Sequence, residues 1–365
     1  MRRFMLFLLV LLAVVAGLRL WVIPHRSSEK NPVVAARSLY PEVSRLIREH
    51  YVDPVDPRNA WHGAYGALLR NLDSCSSYIP VALLQRSRAW REGRGYWAGV
   101  WVRPGDQGFT VSRILPRSPA KLSKLRVGDI LIRIDDQEIT ARTWAEVRLL
   151  LYADKEYTFR LIVRRAGSRD PLNILLPAIA LPADLNLRDL PGSVTHLDLR
   201  RLTPAAVAAV SAAFHSRPGR GWIIDLRNYL HGDLDPCLSL ADMMVPPVSM
   251  LALHTRHGNQ RIRAGSIRAE QTRMVALVGP ETIMYADILA RMLRDAGASL
   301  VGESGGGINA HLRRIPLPDG AELELVDGWF YWGGRNLRNE SLHPDVREPG
   351  DEAALARAQS MLKRE

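Results

Sequence analysis

Residues 275–309 read VALVGPETIMYADILARMLRDAGASLVGESGGGIN, and this stretch decides the fold. An apolar run at 275–278 predicts a buried strand, and Gly279-Pro280 predicts a turn. Ile288, Leu289, Met292 and Leu293 then recur at helical spacing, with Asp287, Arg291, Arg294 and Asp295 on the other face. A second strand at 299–301 and a glycine run follow. A strand–turn–helix of this kind commonly presents a binding or catalytic residue at its turn.

The rest of the chain supplies the frame. Its 365 residues are enough for two or three domains with cores of their own. A hydrophobic content of 47% and a charged content of 24% describe a globular protein. The formal net charge of +11 is carried by 44 Arg and five Lys. No block of consecutive basic residues with interleaved aromatics occurs, so no nucleic-acid partner is expected.

Residues 4–23 are apolar except for Arg19, and Arg2-Arg3 precede them. That pattern predicts either a membrane anchor or a signal peptide, with the remaining chain on the extracytoplasmic side, the periplasm or its equivalent. Cys75 and Cys237 are far apart and read as buried thiols, although one bridge is open to them. His254 and His257 flank a hairpin turn rather than forming a metal site, and no cofactor or metal is expected.

Three motif groups point to one family. A helix ending YVDPVD at 51–56 and the string LDSCSSY at 72–78 come first. The stretch SPAKLSKLRVGDILIRIDDQEI at 118–139 follows, and it is similar to a PDZ domain. Last come IIDLRN at 223–228, VGE at 301–303, and DG, GR and PDV motifs up to Val346. In this order they resemble the carboxyl-terminal processing (tail-specific) serine peptidases.

The resemblance implies an α/β multidomain chain with a peptidase core of the ClpP/crotonase-like type. The expected layout is a membrane segment at 1–24, a linker at 25–36 and a helical region at 37–92. A PDZ domain at 93–170, the core at 171–350 and a C-terminal helix at 351–365 complete it. A PDZ domain takes a partner's C-terminus as an added strand, with the carboxylate on backbone N–H groups. By resemblance that loop is Trp97, Ala98, Gly99 and Val100, with Trp101 and Val102 opening the receiving strand.

The peptidases of this family use a serine activated by a neutral lysine and an oxyanion hole of backbone N–H groups. Carried over by motif, the nucleophile position holds Met284 and the lysine position holds Ile308. His231 stands on the first glycine of the oxyanion pair, and Leu312 on a glutamine. A thioether has no proton to lose, and between Lys155 and Lys363 there is no lysine at all. Arginine does not substitute, because guanidinium stays protonated.

Three functions therefore stay open. The first is a non-catalytic binder of protein C-termini or unfolded polypeptides, or a partner of a homologous active peptidase. The second is an active serine endopeptidase with a relocated nucleophile, Ser304 in Gly302-Glu303-Ser304-Gly305-Gly306, with His231 or His311 as base and Asp287 or Glu303 orienting it. The third is a structural scaffold.

Overall fold

A computed structural model describes residues 32–53, 57–247, 250–266 and 272–363. The expected membrane segment lies outside them; among the described residues no helix is long and apolar enough to cross a membrane. The chain forms two compact units, one ending at Trp61 and one beginning at His62. In the first, the helix Pro32–His50 leaves Leu39, Val43, Leu46 and Ile47 exposed along one stripe. Arg45 pairs there with Glu42 at 2.7 Å and with Glu49.

The second unit begins with the end of the helix Pro57–Leu72 and carries the PDZ-like sheet and the core. The PDZ-like sheet is antiparallel, in the order Val100–Gly105, Gly108–Ile114, Ile130–Ile134, Thr158–Arg164, Leu172–Pro177. The helices Pro119–Leu122 and Trp144–Leu150 pack on it. Thr143 and Glu146 form a reciprocal capping box at the start of the second helix, which fixes where it begins.

The core sheet runs Leu185–Leu190, Val194–Leu199, Gly221–Asp225, Met274–Val278, Ser299–Gly302, Val346–Arg347. Its first pair is antiparallel and the others are parallel. Parallel strands are covered on both faces, so side chains of both parities must be apolar. Ile223, Val275, Leu277 and Val301 face Ala354, Ala358 and Leu362 of the helix Asp351–Leu362. Their neighbours Trp222, Ile224, Ala276, Val278 and Leu300 join Ile288, Leu289 and Met292 of the helix Met284–Asp295. That helix is buried along nearly its whole length, which fixes its N-terminus above the sheet.

A second sheet joins Ser77–Ile79, Glu322–Trp332, Leu251–Thr255 and Gly258–Arg261, with Ala310–Pro316 and Arg335–Asn336 also on Glu322–Trp332. The hairpin expected around His254 and His257 is present, with Leu253 opposite Gln260. Cys75 and Cys237 are both buried and free.

Candidate functional site

The site is built at the carboxyl ends of the core strands, where α/β sheets place their loops. Strand Met274–Val278 ends at Gly279, and Thr282 ties the turn together. Its hydroxyl donates to the Leu226 carbonyl at 3.1 Å and accepts from the Gly279 N–H at 3.0 Å. Thr282 is fully buried, and with both roles used it is a structural hydroxyl, not a nucleophile.

Met284 follows, at the first position of the helix, with φ +50°. A left-handed conformation costs an unbranched L-residue about 1–2 kcal/mol. Burial of the thioether side chain, about 8% exposed, returns about 1.5–3 kcal/mol. The backbone of an elbow is thus kept at the position that would carry a nucleophile, and the side chain it presents is apolar.

The Met284 N–H donates to the carbonyl of Ile308 at 2.6 Å. Ile308 ends the loop that leaves strand Ser299–Gly302, and its side chain packs partly buried against the core. The two positions assigned by resemblance to nucleophile and lysine are therefore adjacent. The N–H at the first of them is already satisfied. Cys237 lies behind this turn with its thiol on the Tyr285 carbonyl at 3.3 Å, and burial pushes that thiol's pKa up.

His231 lies beside this turn. The pair His231–Gly232 runs parallel to Arg201–Leu202, so close that a Cβ on Gly232 would stand 2.5 Å from that of Leu202. Gly232 is thus required for space, whereas His231 is absent from the positive-φ residues and accommodates its side chain without such strain. Burial lowers the His231 pKa well below its usual value, and Arg314, Arg148, Arg91 and Arg201 lower it further. Both effects favour the neutral imidazole.

The DLR motif has a structural role. Arg227 donates to both Asp225 carboxylate oxygens, at 2.9 and 2.7 Å, and reaches Asp351 Oδ1 at 3.2 Å. The arginine outweighs the burial of Asp225 and, with His196, holds that carboxyl well below the usual range.

Asp287 is fully buried beneath the glycine loop and bonded to Arg291 Nε at 2.5 Å. Burial raises its pKa to about 6, against the opposing pull of Arg291. Glu281, at the turn, is raised by burial as well, and its countercharge comes from the PDZ-like sheet: Arg103 Nε stands 3.3 Å away. The Arg103 guanidinium also occupies the space beside Gly306 where a Cβ would lie 2.0 Å from Nη1.

The remaining sequence-assigned residues are placed as follows. Ser304 is exposed between strands Ser299–Gly302 and Ala310–Pro316, and its hydroxyl lies 3.1 Å from His343 Nδ1. Its neighbour is thus His343 rather than the expected His231 or His311; His311 is bonded to Asp327 at 2.6 Å instead. Sequence reading missed His343 because nothing local marks a pairing across 39 residues.

Trp97, Ala98, Gly99, Val100, Trp101 and Val102 are all buried. Tyr96–Trp97 is the middle strand of a small sheet with Tyr152–Ala153 and Ile179–Ala180, and the Ala98 N–H donates to Leu151. Trp101 Nε1 donates to the Tyr229 carbonyl of the core at 2.8 Å, and Trp144 Nε1 to the Val102 carbonyl at 2.7 Å. Trp97 and Trp101 meet edge-on at 4.9 Å. In this conformation the indoles of Trp97, Trp101 and Trp144 line a cavity of only about 30 Å³.

An S41-type core and a PDZ-like module in one chain define a class of protein, and comparison with known sequences agrees. The profile of peptidase family S41 matches residues 193–347, and that of the PDZ domain matches residues 110–165. A carboxy-terminal-processing protease of Bartonella bacilliformis is 21% identical over 318 residues, 84% of this chain and 73% of that protein. A carboxyl-terminal-processing protease of Synechocystis is 27% identical over 300 residues, 77% of this chain and 69% of the other. Among solved structures, the photosystem II D1 C-terminal processing protease superposes with a TM-score of 0.67 at 19% identity, covering 88% of this chain and 96% of its own. The chain is thus similar to carboxyl-terminal processing peptidases over most of its length, with a peptidase family S41 match in its core and a PDZ-domain match before it.

Proposed function

We propose that this chain is a non-catalytic member of its family that binds polypeptides, chiefly protein C-termini, in the cell envelope. One observation carries the reading: the elbow presents Met284, its N–H is bonded to Ile308, and no lysine lies between Lys155 and Lys363. Neither a thioether nor an aliphatic side chain transfers a proton. What is kept is the frame: the elbow, the buried Asp225–Arg227 pair and the PDZ-like module. A frame without its proton-transfer groups still binds. The extracytoplasmic placement rests on the apolar run at 4–23 behind Arg2-Arg3, which serves equally for tethering or export. Pairing with an active relative is a second use of the same surface.

The test is an assay of the purified chain for binding and for cleavage of one unfolded polypeptide. Saturable binding without new termini supports the reading, and turnover contradicts it.

One observation favours the second reading, a relocated hydrolase: Ser304 and His343 lie at hydrogen-bond distance. Against it, Ser304 sits on an exposed loop, and among the described residues no carboxylate is hydrogen-bonded to the His343 ring. A triad needs that third group to hold the imidazole's tautomer. Loss of turnover in Ser304→Ala would establish this alternative.

A further inference from the structure

Between Asp106 and Asp129 the chain carries no carboxylate. Around the helix Pro119–Leu122 of the PDZ-like module this stretch exposes four cations, Arg117, Lys121, Lys124 and Arg126. None of the four is in an ion pair among the described residues. Asp129, which closes the stretch, is buried and already taken: it holds Arg165 at 2.7 and 2.8 Å and accepts from the Arg126 N–H at 2.8 Å. The adjoining turns add exposed Arg164 and Arg169 against two exposed carboxylates, Asp106 and Asp170. The cations of this end of the module therefore outnumber its free carboxylates.

Two aliphatic side chains stand among these cations in water, Leu122 at 88% exposure and Val127 at 62%. The loop that carries them is held in place. The Ser118 hydroxyl donates to the Leu115 carbonyl at 2.7 Å, and the Ser123 hydroxyl to the Ala120 carbonyl at 2.7 Å. Arg165 donates to the Lys124 carbonyl at 2.6 Å, and Leu125 is buried in the core of the module. A lone exposed aliphatic is ordinary. Two within six residues, each beside unpaired cations, match an anionic bilayer, where aliphatic groups enter the acyl boundary and cations lie at the headgroups. A nucleic acid fits less well, because residues 117–127 hold no aromatic ring to stack on a base.

We propose that the loop at 117–127 docks the PDZ-like module on an anionic lipid surface, with Leu122 and Val127 entering the interface and Lys121, Lys124 and Arg126 among the headgroups. This contact is separate from the apolar run at 4–23, and it does not rest on the reading of the core as a binder. Docking here would set the module's face toward the bilayer, which a tether through the N-terminal run alone does not do.

The test uses the full chain with an environment-sensitive fluorophore on Leu122→Cys; Cys75 and Cys237 are buried and stay unlabelled. The readout is local, so attachment through the N-terminal run does not produce it. Vesicles of phosphatidylcholine with added phosphatidylglycerol are expected to shift the emission to the blue, and vesicles of phosphatidylcholine alone are not. Each cation near an anionic surface multiplies binding roughly fivefold, so Lys121→Gln/Lys124→Gln should lower the docked-to-undocked ratio at least tenfold. The same fluorophore on exposed Arg357→Cys, in the helix Asp351–Leu362, should report no shift. The comparison of the two vesicle types needs no charge variant, so a misfolded one would not leave the question open. No shift at residue 122, equal shifts with both vesicle types, or an equal shift at residue 357 overturns the proposal, as does undiminished docking of the folded charge variant. A single-stranded polynucleotide giving the same shift in place of vesicles would also overturn it and assign the patch to nucleic acid.

Discussion

The Met284 N–H and the Ile308 carbonyl are 2.6 Å apart, so the two positions that the resemblance assigns to nucleophile and lysine are joined through their backbones. The bond does not depend on either side chain. It explains how the elbow keeps its φ of +50° with a methionine in place: the neighbouring loop holds the turn.

Because the frame is backbone-held, restoring the side chains should restore chemistry. Met284→Ser/Ile308→Lys is expected to cleave an unfolded polypeptide at a rate measurable above wild type, and each single substitution is not. The partly buried 308 position would keep a lysine's pKa low enough for it to act as a base. A silent double variant that is folded by circular dichroism would show that the frame is lost as well.

Arg227 neutralises the fully buried Asp225 and reaches the first turn of the helix Asp351–Leu362. Removing one partner of a buried pair leaves an uncompensated charge, at a cost of about 3–5 kcal/mol. Urea unfolding of Arg227→Met should show a loss of that order. A loss below about 1 kcal/mol would mean that the pair is solvated and surface-like.

Asp287 gives a pH dependence whose sign follows from its raised pKa. The folded state binds its proton more tightly than the unfolded state, so the stabilisation is complete below the unfolded value of 3.8. It is lost as pH rises through about 6. By linkage the span is on the order of 3 kcal/mol. Thermal midpoints should therefore fall between about pH 4 and 6.5 more steeply in wild type than in Asp287→Asn. Parallel profiles would remove Asp287 from the account.

Trp101 couples the PDZ-like sheet to the core through its bond to the Tyr229 carbonyl. Trp101→Phe keeps most of the ring's packing and deletes the donor, at about 0.5–1.5 kcal/mol plus the cost of the stranded carbonyl. Amide hydrogen exchange along Val100–Gly105 should accelerate, while the core strand Met274–Val278 is unchanged. Uniform acceleration through both would mean that the bond supports global stability rather than this junction.

Much of this was legible in the sequence where the cause is local. The apolar run and the turn at Gly279-Pro280 give the strand Met274–Val278 to within one residue, and the helical spacing of Ile288, Leu289, Met292 and Leu293 gives the existence of the helix Met284–Asp295. Motif order gives the family, and the missing lysine is a fact of composition. The burial of Trp97–Val102 was not legible, because it depends on Tyr229 of the core and on the indole of Trp144. For the same reason Ser304 was read with His231 or His311 and is found beside His343. The DLR motif was visible as a string, whereas its work as a buried bidentate pair emerges only when Asp351 is brought to it.

The most direct test is the wild-type chain itself, purified and incubated with an unfolded polypeptide alongside Ser304→Ala, with new termini counted by mass spectrometry. Neither protein is expected to generate termini above buffer. Cleavage by wild type that disappears in Ser304→Ala would contradict it and assign the chemistry to the loop between Gly302 and Ile308.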